Sequence, residues 1–401
     1  MKLQILLALL PLTFAAPAPL APRDGTPIPG QYIVKFKSNA LLEHSILNLI
    51  NDLFQDATQK AYVKHIYNIG SFAGFAVTTT DSAAQQIRLN PNVELVEQDR
   101  VIQIELEHVE EIVQRSPVTQ YTTSSTWGLG RLSSKATNSG RYVYDSTAGA
   151  GICAYVIDTG IETTHPEFQG RATFLANFAE DGSNTDGHGH GTHVAGIIGS
   201  KTYGVSKRVN LFAVKVLNAD GTGALSGVLA GVDFATNDAK SRGCKSSVAN
   251  FSFATGKSDA LNSAAANAAS SGLFIAVAAG NSAADAIDTS PASEPSVFTV
   301  GSTDSNDRLA ASSNFGASVD ILAPGVAILS TWKSGGTAVL SGTSMATPHV
   351  TGLAAYLLAY EGIRTPAALS SRMTSLANIN RITGVPAGTV NLLAFNGNSR
   401  A

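Results

Sequence analysis

Ser344 lies within Ser341-Gly342-Thr343-Ser344-Met345-Ala346-Thr347-Pro348-His349, between a turn of small residues and an apolar stretch, Met345 to Tyr360, that reads as a long helix. A helix start leaves backbone N–H groups unpaired and gathers positive potential, so a negative oxygen formed there is stabilised. That makes Ser344 a candidate nucleophile, although serine and threonine at helix starts also serve as plain caps. A hydroxyl is a weak nucleophile at neutral pH and needs a base to take its proton. Asp186-Gly187-His188-Gly189-His190-Gly191-Thr192-His193-Val194-Ala195-Gly196, a glycine-rich turn running into a helix, supplies imidazoles. An unperturbed imidazole, with pKa about 6.5, can accept that proton and later hand it to a leaving amine. Ala154-Tyr155-Val156-Ile157-Asp158-Thr159-Gly160-Ile161 is an apolar strand run ending in an acid and a glycine turn. The carboxyl ends of parallel strands form the ligand crevice, and an acid there can hold the imidazole tautomer and stabilise the imidazolium. Taken singly, Asp158 also fits an ordinary turn, as does Asn281 after Gly280.

Together these segments resemble the subtilase family, and within it the fungal subtilisin-like serine proteases of the proteinase K type. The resemblance runs from about Trp127 to the C-terminus through Val156-Ile157-Asp158-Thr159-Gly160, His190-Gly191-Thr192-His193, Ala278-Ala279-Gly280-Asn281 and Gly342-Thr343-Ser344-Met345-Ala346. The chain order acid, histidine, serine is that of subtilisin-like enzymes. It implies Asp158, His190 and Ser344 as the triad, with the Asn281 side chain and the Ser344 amide as oxyanion donors. His188, His190 and His193 raise a metal alternative. Their spacing lacks the glutamate set between two histidines in helical zinc proteases, so no catalytic cofactor is expected. His188 reads as a solvated loop histidine, His193 and His349 as structural ones. A rival of another class, a non-catalytic scaffold or inhibitor, has the four intact catalytic positions against it.

The same resemblance carries further expectations. Gly221-Thr222-Gly223-Ala224-Leu225 and Ser252-Phe253-Ala254 match the two segments that clamp an extended peptide by strand addition. Gly280 falls beside them, and the Ala254-Thr255 side chains stand where proteinase K itself has glycines, narrowing the pocket. Cys153 and Cys244 match positions that the family bridges. Pro295 and Val297 carbonyls with the Asp320 carboxylate match a site for structural Ca²⁺, an oxygen-only donor set. A second, weaker cation site is not expected, because Thr374-Ser375-Leu376-Ala377-Asn378 lacks the needed acid.

The elements that must position these groups form a precursor. The 401 residues allow two or three domains; only 14% are charged, and the net charge of -3 gives no basic field for nucleic acid. Lys2, the apolar run Leu3 to Phe14 and Ala15-Ala16 read as a signal peptide, assigned to residues 1–18. No run is long enough to span a bilayer, which takes about 20 apolar residues. A secreted, extracellular, monomeric product is expected, in a compartment that permits a disulfide. In residues 19–117, Gln31 to Phe36 alternates like a strand, Ala40 to Tyr62 looks helical, and Phe72 to Val77 is strand-like. Asp81 to Leu89 suits a short helix and Val93 to Glu97 a closing strand. A β-α-β-β-α-β, ferredoxin-like order follows. It resembles the inhibitory propeptide of subtilases, so the chain's own propeptide is an expected partner. Glu105 to Arg115 reads as an acidic linker, with self-processing between Arg115 and Gln120. From residue 118 onward, apolar strand runs alternate with helical stretches near His193, Leu225, Ala260 and Ser344. This pattern argues an α/β, three-layer, mostly parallel sheet covered on both faces, the subtilisin-like fold. The sequon Asn250-Phe251-Ser252 falls in a strand and is expected to stay unglycosylated.

Overall fold

The computed structural model describes residues 25–38, 40, 46–54, 61–104, 109–112, 126–137, 139–362 and 365–397. The signal peptide and the junction expected between Arg115 and Gln120 lie outside the described residues.

The N-terminal unit contains β1 (Pro27–Phe36), α1 (Ile46–Leu53), β2 (Tyr62–Ile69), β3 (Phe72–Thr78), α2 (Asp81–Arg88) and β4 (Val93–Gln103). Its strands run β2-β3-β1-β4, all neighbours antiparallel, as a ferredoxin-like order requires. Tyr62 is the first residue of a strand, not the end of the expected helix. Beyond the unit, β5 (Val109–Ile112) precedes α3 (Trp127–Leu132).

The larger unit continues with β6 (Ile152–Asp158), β7 (Ala172–Asn177), α4 (His190–Gly199), β8 (Asn210–Lys215), β9 (Thr222–Ala224), α5 (Leu225–Ser241), β10 (Ser246–Phe251), β11 (Thr255–Gly256) and α6 (Asp259–Ser270). There follow β12 (Phe274–Ala278), β13 (Thr289–Ser290), β14 (Phe298–Thr303), β15 (Ile321–Pro324), the hairpin β16 (Ile328–Trp332) and β17 (Gly336–Leu340), α7 (Thr343–Glu361), α8 (Pro366–Leu376), β18 (Asn378–Ile379) and β19 (Leu392–Leu393). Nine strands form one sheet in the order β18-β19-β15-β14-β12-β10-β6-β8-β7, with parallel pairing from β19 to β7.

Every residue of β6 is buried, as expected for a central parallel strand covered on both faces. Ile152, Ala154 and Val156 join the core with α4 and α7, whereas Cys153, Tyr155 and Ile157 join the core with α5 and α6. The period-two alternation of a strand thus serves two helix layers at once. Helix α7 is buried from Thr343 to Leu358 and apolar on nearly all sides, so it runs through the interior rather than over the surface. Cys153 of β6 is disulfide-bonded to Cys244, ahead of β10. Closing a loop with a sequence separation of 91 stabilises by about 4 to 5 kcal/mol in the chain-entropy account. Asn250 is fully buried and its amide donates to Ser252 Oγ at 2.8 Å, leaving the sequon closed to a glycan.

Candidate active site

Asp158 ends β6 and His190 begins α4, and both are fully buried. His190 Nδ1 lies 2.8 Å from Asp158 Oδ1, which also accepts the Thr159 N–H at 2.7 Å. The approach depends on Gly191: a Cβ there would overlap the Gly160 carbonyl and press on Asp158. With Nδ1 directed at the carboxylate, Nε2 is the nitrogen left to exchange protons, and among the described residues it has no hydrogen-bond partner.

Ser344 is the second residue of α7 and is 3% exposed. Pro348 has no N–H to offer the carbonyl four residues before it. The Ser344 carbonyl is therefore free to accept from Ser252 Oγ at 2.8 Å, while Ser344 Oγ donates to the Ser252 carbonyl at 2.9 Å. This reciprocal pair ties the turn of the candidate nucleophile to the segment expected to hold substrate. Ser344 Oγ is thus bonded to Ser252 and not to His190, and catalytic hydrogen bonds are often loose in substrate-free sites.

Asn281 Oδ1 accepts the Thr343 N–H at 2.8 Å and Thr343 Oγ1 at 2.9 Å. Two donors on the oxygen fix the amide orientation, leaving Nδ2–H₂ as the free donor. Phe253, Ala254, Ala278, Gly280, Asn281, Thr343 and Ser344 line one small pocket, which brings Phe253, Ala254 and Gly280 of the expected substrate residues together with Asn281 and Ser344 but not Gly221 to Leu225 or Ser252. Gly280 takes φ +104°, and a side chain there would strike the Asn314 amide.

The strand β9 lies in the other segment expected to hold substrate, and its edge is filled by β4. Val101 pairs with Ala224, Ile102 with Gly223 and Gln103 with Thr222, antiparallel, and the Ile104 N–H donates to the Gly221 carbonyl at 3.1 Å. Two acids of β4 reach further. Asp99 Oδ1 accepts the Ser226 N–H at 3.0 Å in the first turn of α5, which has no side-chain cap from its own residue Ala224. Glu97 Oε2 accepts the Ala260 N–H at 3.1 Å in the first turn of α6. Carboxylates at two helix starts match the positive ends of both dipoles. Arg100 Nη2 neutralises Glu97 at 2.5 Å and donates to the Lys257 carbonyl at 3.0 Å. Sequence reading missed these capping acids; the alternating Val93-Glu94-Leu95-Val96-Glu97 marked a strand but not its partners.

The remaining histidines divide. His188, expected to be solvated, is half-buried; its ring sits edge-on to His190 at 6.2 Å and to Trp332 at 6.3 Å, and burial lowers its pKa. The loop is held inward because the His188 N–H is bound by the buried Asp186 carboxylate. His193 Nε2 meets the Ile328 and Ala338 carbonyls, both at 3.0 Å, joining α4 to the β16–β17 hairpin. Burial takes His193 down to about 3 and His349 to about 4, so both are neutral structural groups.

Asp320 lies away from this cleft. Its Oδ2 accepts the Thr299 N–H at 2.7 Å, and burial raises its pKa to about 6. No lysine or arginine side chain pairs with it among the described residues. Val297 lies in a turn closed by its N–H to the Glu294 carbonyl, just ahead of β14. Among the described residues no three His, Cys, Asp or Glu side chains gather as a metal cluster, so any cation here would rest chiefly on carbonyls. No helix of the described residues is long and apolar enough to cross a membrane.

Comparison with known proteins places the chain in a family. Residues 149–391 match the subtilase family and residues 31–105 match peptidase inhibitor I9. The chain is 48% identical to alkaline serine protease ver112 of Corniculantispora psalliotae, with 99% of this chain and all of the relative aligned. It is 46% identical to a cuticle-degrading protease of Metarhizium anisopliae, again over 99% of this chain and 100% of the relative. The crystal structure of a cold adapted subtilisin-like serine proteinase superposes with a TM-score of 0.65 at 44% identity, covering 68% of this chain and 99% of that one.

Proposed function

The chain belongs to the subtilase family and is a serine endopeptidase made with an inhibitor domain ahead of it, and from that premise we propose that Asp158, His190 and Ser344 form its proton-transfer unit. In this reading Ser344 Oγ leaves Ser252, gives its proton to His190 Nε2 and bonds to the substrate carbonyl carbon. Asn281 Nδ2 and the Ser344 amide hold the oxyanion. Collapse breaks the C–N bond as His190 returns the proton to the amine, and water then repeats the sequence on the acyl-enzyme. Asp158 keeps the imidazole in the tautomer that this requires. The observation that carries the reading is the buried Asp158–His190 hydrogen bond, with His190 Nε2 left open.

The substrate is proposed to be an extended protein segment added as a strand between Gly221 to Leu225 and Ser252 to Ala254, with an apolar or aromatic residue entering the pocket beside Phe253 and Ala254. The β4–β9 pairing supports this, because the inhibitor domain already uses that edge as a peptide would. It further supports self-processing. The chain leaves β9 at Ile104, and at β5 it pairs with β17, Val109 opposite Leu340, four positions before Ser344. We therefore propose the self-made cut beyond β5, at the junction between Arg115 and Gln120. The enzyme is proposed to act outside the cell as a monomer.

A structural Ca²⁺ is proposed at the Pro295 and Val297 carbonyls and the Asp320 carboxylate. A mostly buried carboxyl without a cationic side chain, raised to about 6, fits a group that gains its counter-charge from a hard cation.

The test is Ser344→Ala beside wild type, each purified as the full chain free of other proteases. The variant should lack peptidase activity and persist uncut, while wild type yields a new N-terminus readable by sequencing. A Ser344→Ala preparation that hydrolyses peptides at the wild-type rate would refute the assignment.

A further inference from the structure

Asp186 is a buried carboxylate, 4% exposed, that takes no part in the proposed chemistry. No lysine or arginine pairs with it among the described residues, and five donors surround it instead. Its Oδ1 accepts Thr159 Oγ1 at 2.8 Å, the His188 N–H at 3.1 Å and the Gly189 N–H at 2.7 Å. Its Oδ2 accepts the Thr192 N–H at 2.8 Å and Thr192 Oγ1 at 2.6 Å. An ionised carboxylate offers about four lone-pair positions, so both oxygens are fully engaged. Such an acceptor is expensive to bury unless every donor is retained.

The donors come from three segments that have to agree in space. Thr159 directly follows Asp158, and its N–H donates to Asp158 Oδ1 at 2.7 Å. Its hydroxyl, while donating to Asp186, accepts the Gly191 N–H at 2.9 Å, directly after His190. His188 and Gly189 are the two residues before His190, and Thr192 sits in the first turn of α4. Thr192 Oγ1 in turn accepts the Glu162 N–H at 2.9 Å, returning to the turn beyond β6. Lys215 Nζ, fully buried, holds the Thr159 carbonyl at 2.8 Å from the neighbouring strand. One carboxylate therefore grips the residue after the acid and the residues on both sides of the histidine.

We propose that Asp186 is a positioning residue of this enzyme, setting the Asp158–His190 geometry through Thr159 and Thr192 rather than touching substrate. The inference rests on the triad reading. Misplacing reacting groups by about 1 Å costs on the order of 10²-fold in rate, so the consequence should fall on turnover and leave substrate affinity nearly intact.

Asp186→Asn places an NH₂ group against the Thr192 N–H or against Gly189 and His188, two donors facing each other whichever way the amide turns. Thr159→Val removes the hydroxyl relay but leaves Asp186 four donors, and Thr159→Ser restores it. Turnover of a chromogenic tetrapeptide is measured per active site, with sites counted by complete fluorophosphonate labelling and folding checked by thermal unfolding. Asp186→Asn and Thr159→Val should each lower kcat by roughly 30- to 100-fold with KM within about threefold, and Thr159→Ser should return most of kcat. The double variant should lose little more than either alone, because both act on one unit. If Asp186→Asn does not fold, the Thr159 pair decides alone. Equal kcat for Thr159→Val and Thr159→Ser, or a folded Asp186→Asn with wild-type kcat, overturns the inference. Activity surviving in Ser344→Ala would instead overturn the triad reading beneath it.

Discussion

Asp320→Asn is expected to stabilise the protein without calcium and to remove its response to calcium, a pair of effects with opposite sign. Burial is the first cause of the raised carboxyl, taking it from 3.8 to about 6, against a smaller opposing contribution from the Thr299 N–H. The native state thus binds this proton more tightly than the unfolded chain. Stability from this group is greatest below about pH 4, declines as pH rises through about 6, and stays low above it, where the ionised carboxylate costs about 3 kcal/mol. Asparagine keeps an oxygen for the Thr299 N–H and carries no charge. In chelator at pH 8 the variant should gain roughly 2 to 3 kcal/mol, which for a domain of this size raises Tm by about 4 to 10 °C. Calcium at a hundredfold excess over its Kd should add about 2.7 kcal/mol to the wild type and nothing to the variant. Thermal unfolding in a Ser344→Ala background, which prevents self-digestion, reads both effects. A variant less stable than wild type in chelator at pH 8, or an equal calcium response in both, would refute this account of Asp320.

Asn281→Ala should leave the fold intact and lower kcat by about 10² to 10³ with little change in KM, as loss of one oxyanion donor does; steady-state kinetics and circular dichroism together check this. Asp99→Ala in the isolated inhibitor domain should weaken its inhibition of mature enzyme by roughly tenfold, the worth of one helix cap of about 1 to 1.4 kcal/mol, and an unchanged Ki would show that the β4–β9 edge alone supplies the affinity. Because burial holds His193 near about 3 and His349 near about 4, the unfolded chain takes up protons below about pH 6.5 that the native state refuses, so stability should fall steadily from pH 6.5 toward 4. Replacing His349 by glutamine should flatten that slope in a pH series of thermal melts.

The segments that carry the candidate site were legible as elements because each is written in a short contiguous run. Val156-Ile157-Asp158-Thr159-Gly160 announces both a buried strand and an acid at its end, and the structure ends β6 on that acid. The central strands were equally plain, since a strand buried on both faces has to be apolar throughout. The hairpin β16–β17 was not. Ile328 to Trp332 and Gly336 to Leu340 mix polar with small residues, and what holds them is His193 on a helix 135 and 145 residues away. Tyr62 illustrates a boundary failure: an amphipathic stretch gave no local sign of where α1 gives way to β2.

What escaped sequence reading shares a physical origin. Glu97 and Asp99 look like solvent-facing strand acids until their acceptors are set against helix starts that lie 163 and 127 residues later. Asp186 looks like the opening acid of a glycine turn, yet it is buried against Thr159, 27 residues earlier. Glu97 and Asp99 satisfy backbone donors that become orphans only where distant helices start, and Asp186 adds to its local N–H donors the hydroxyl of a residue at a distant strand end. A segment's own periodicity cannot reveal an acceptor whose donors are created elsewhere by folding. Pro348 is the exception, because the donor it lacks is fixed by its residue type. The free Ser344 carbonyl follows from the sequence alone, and Ser252 is the partner that tertiary structure brings to it.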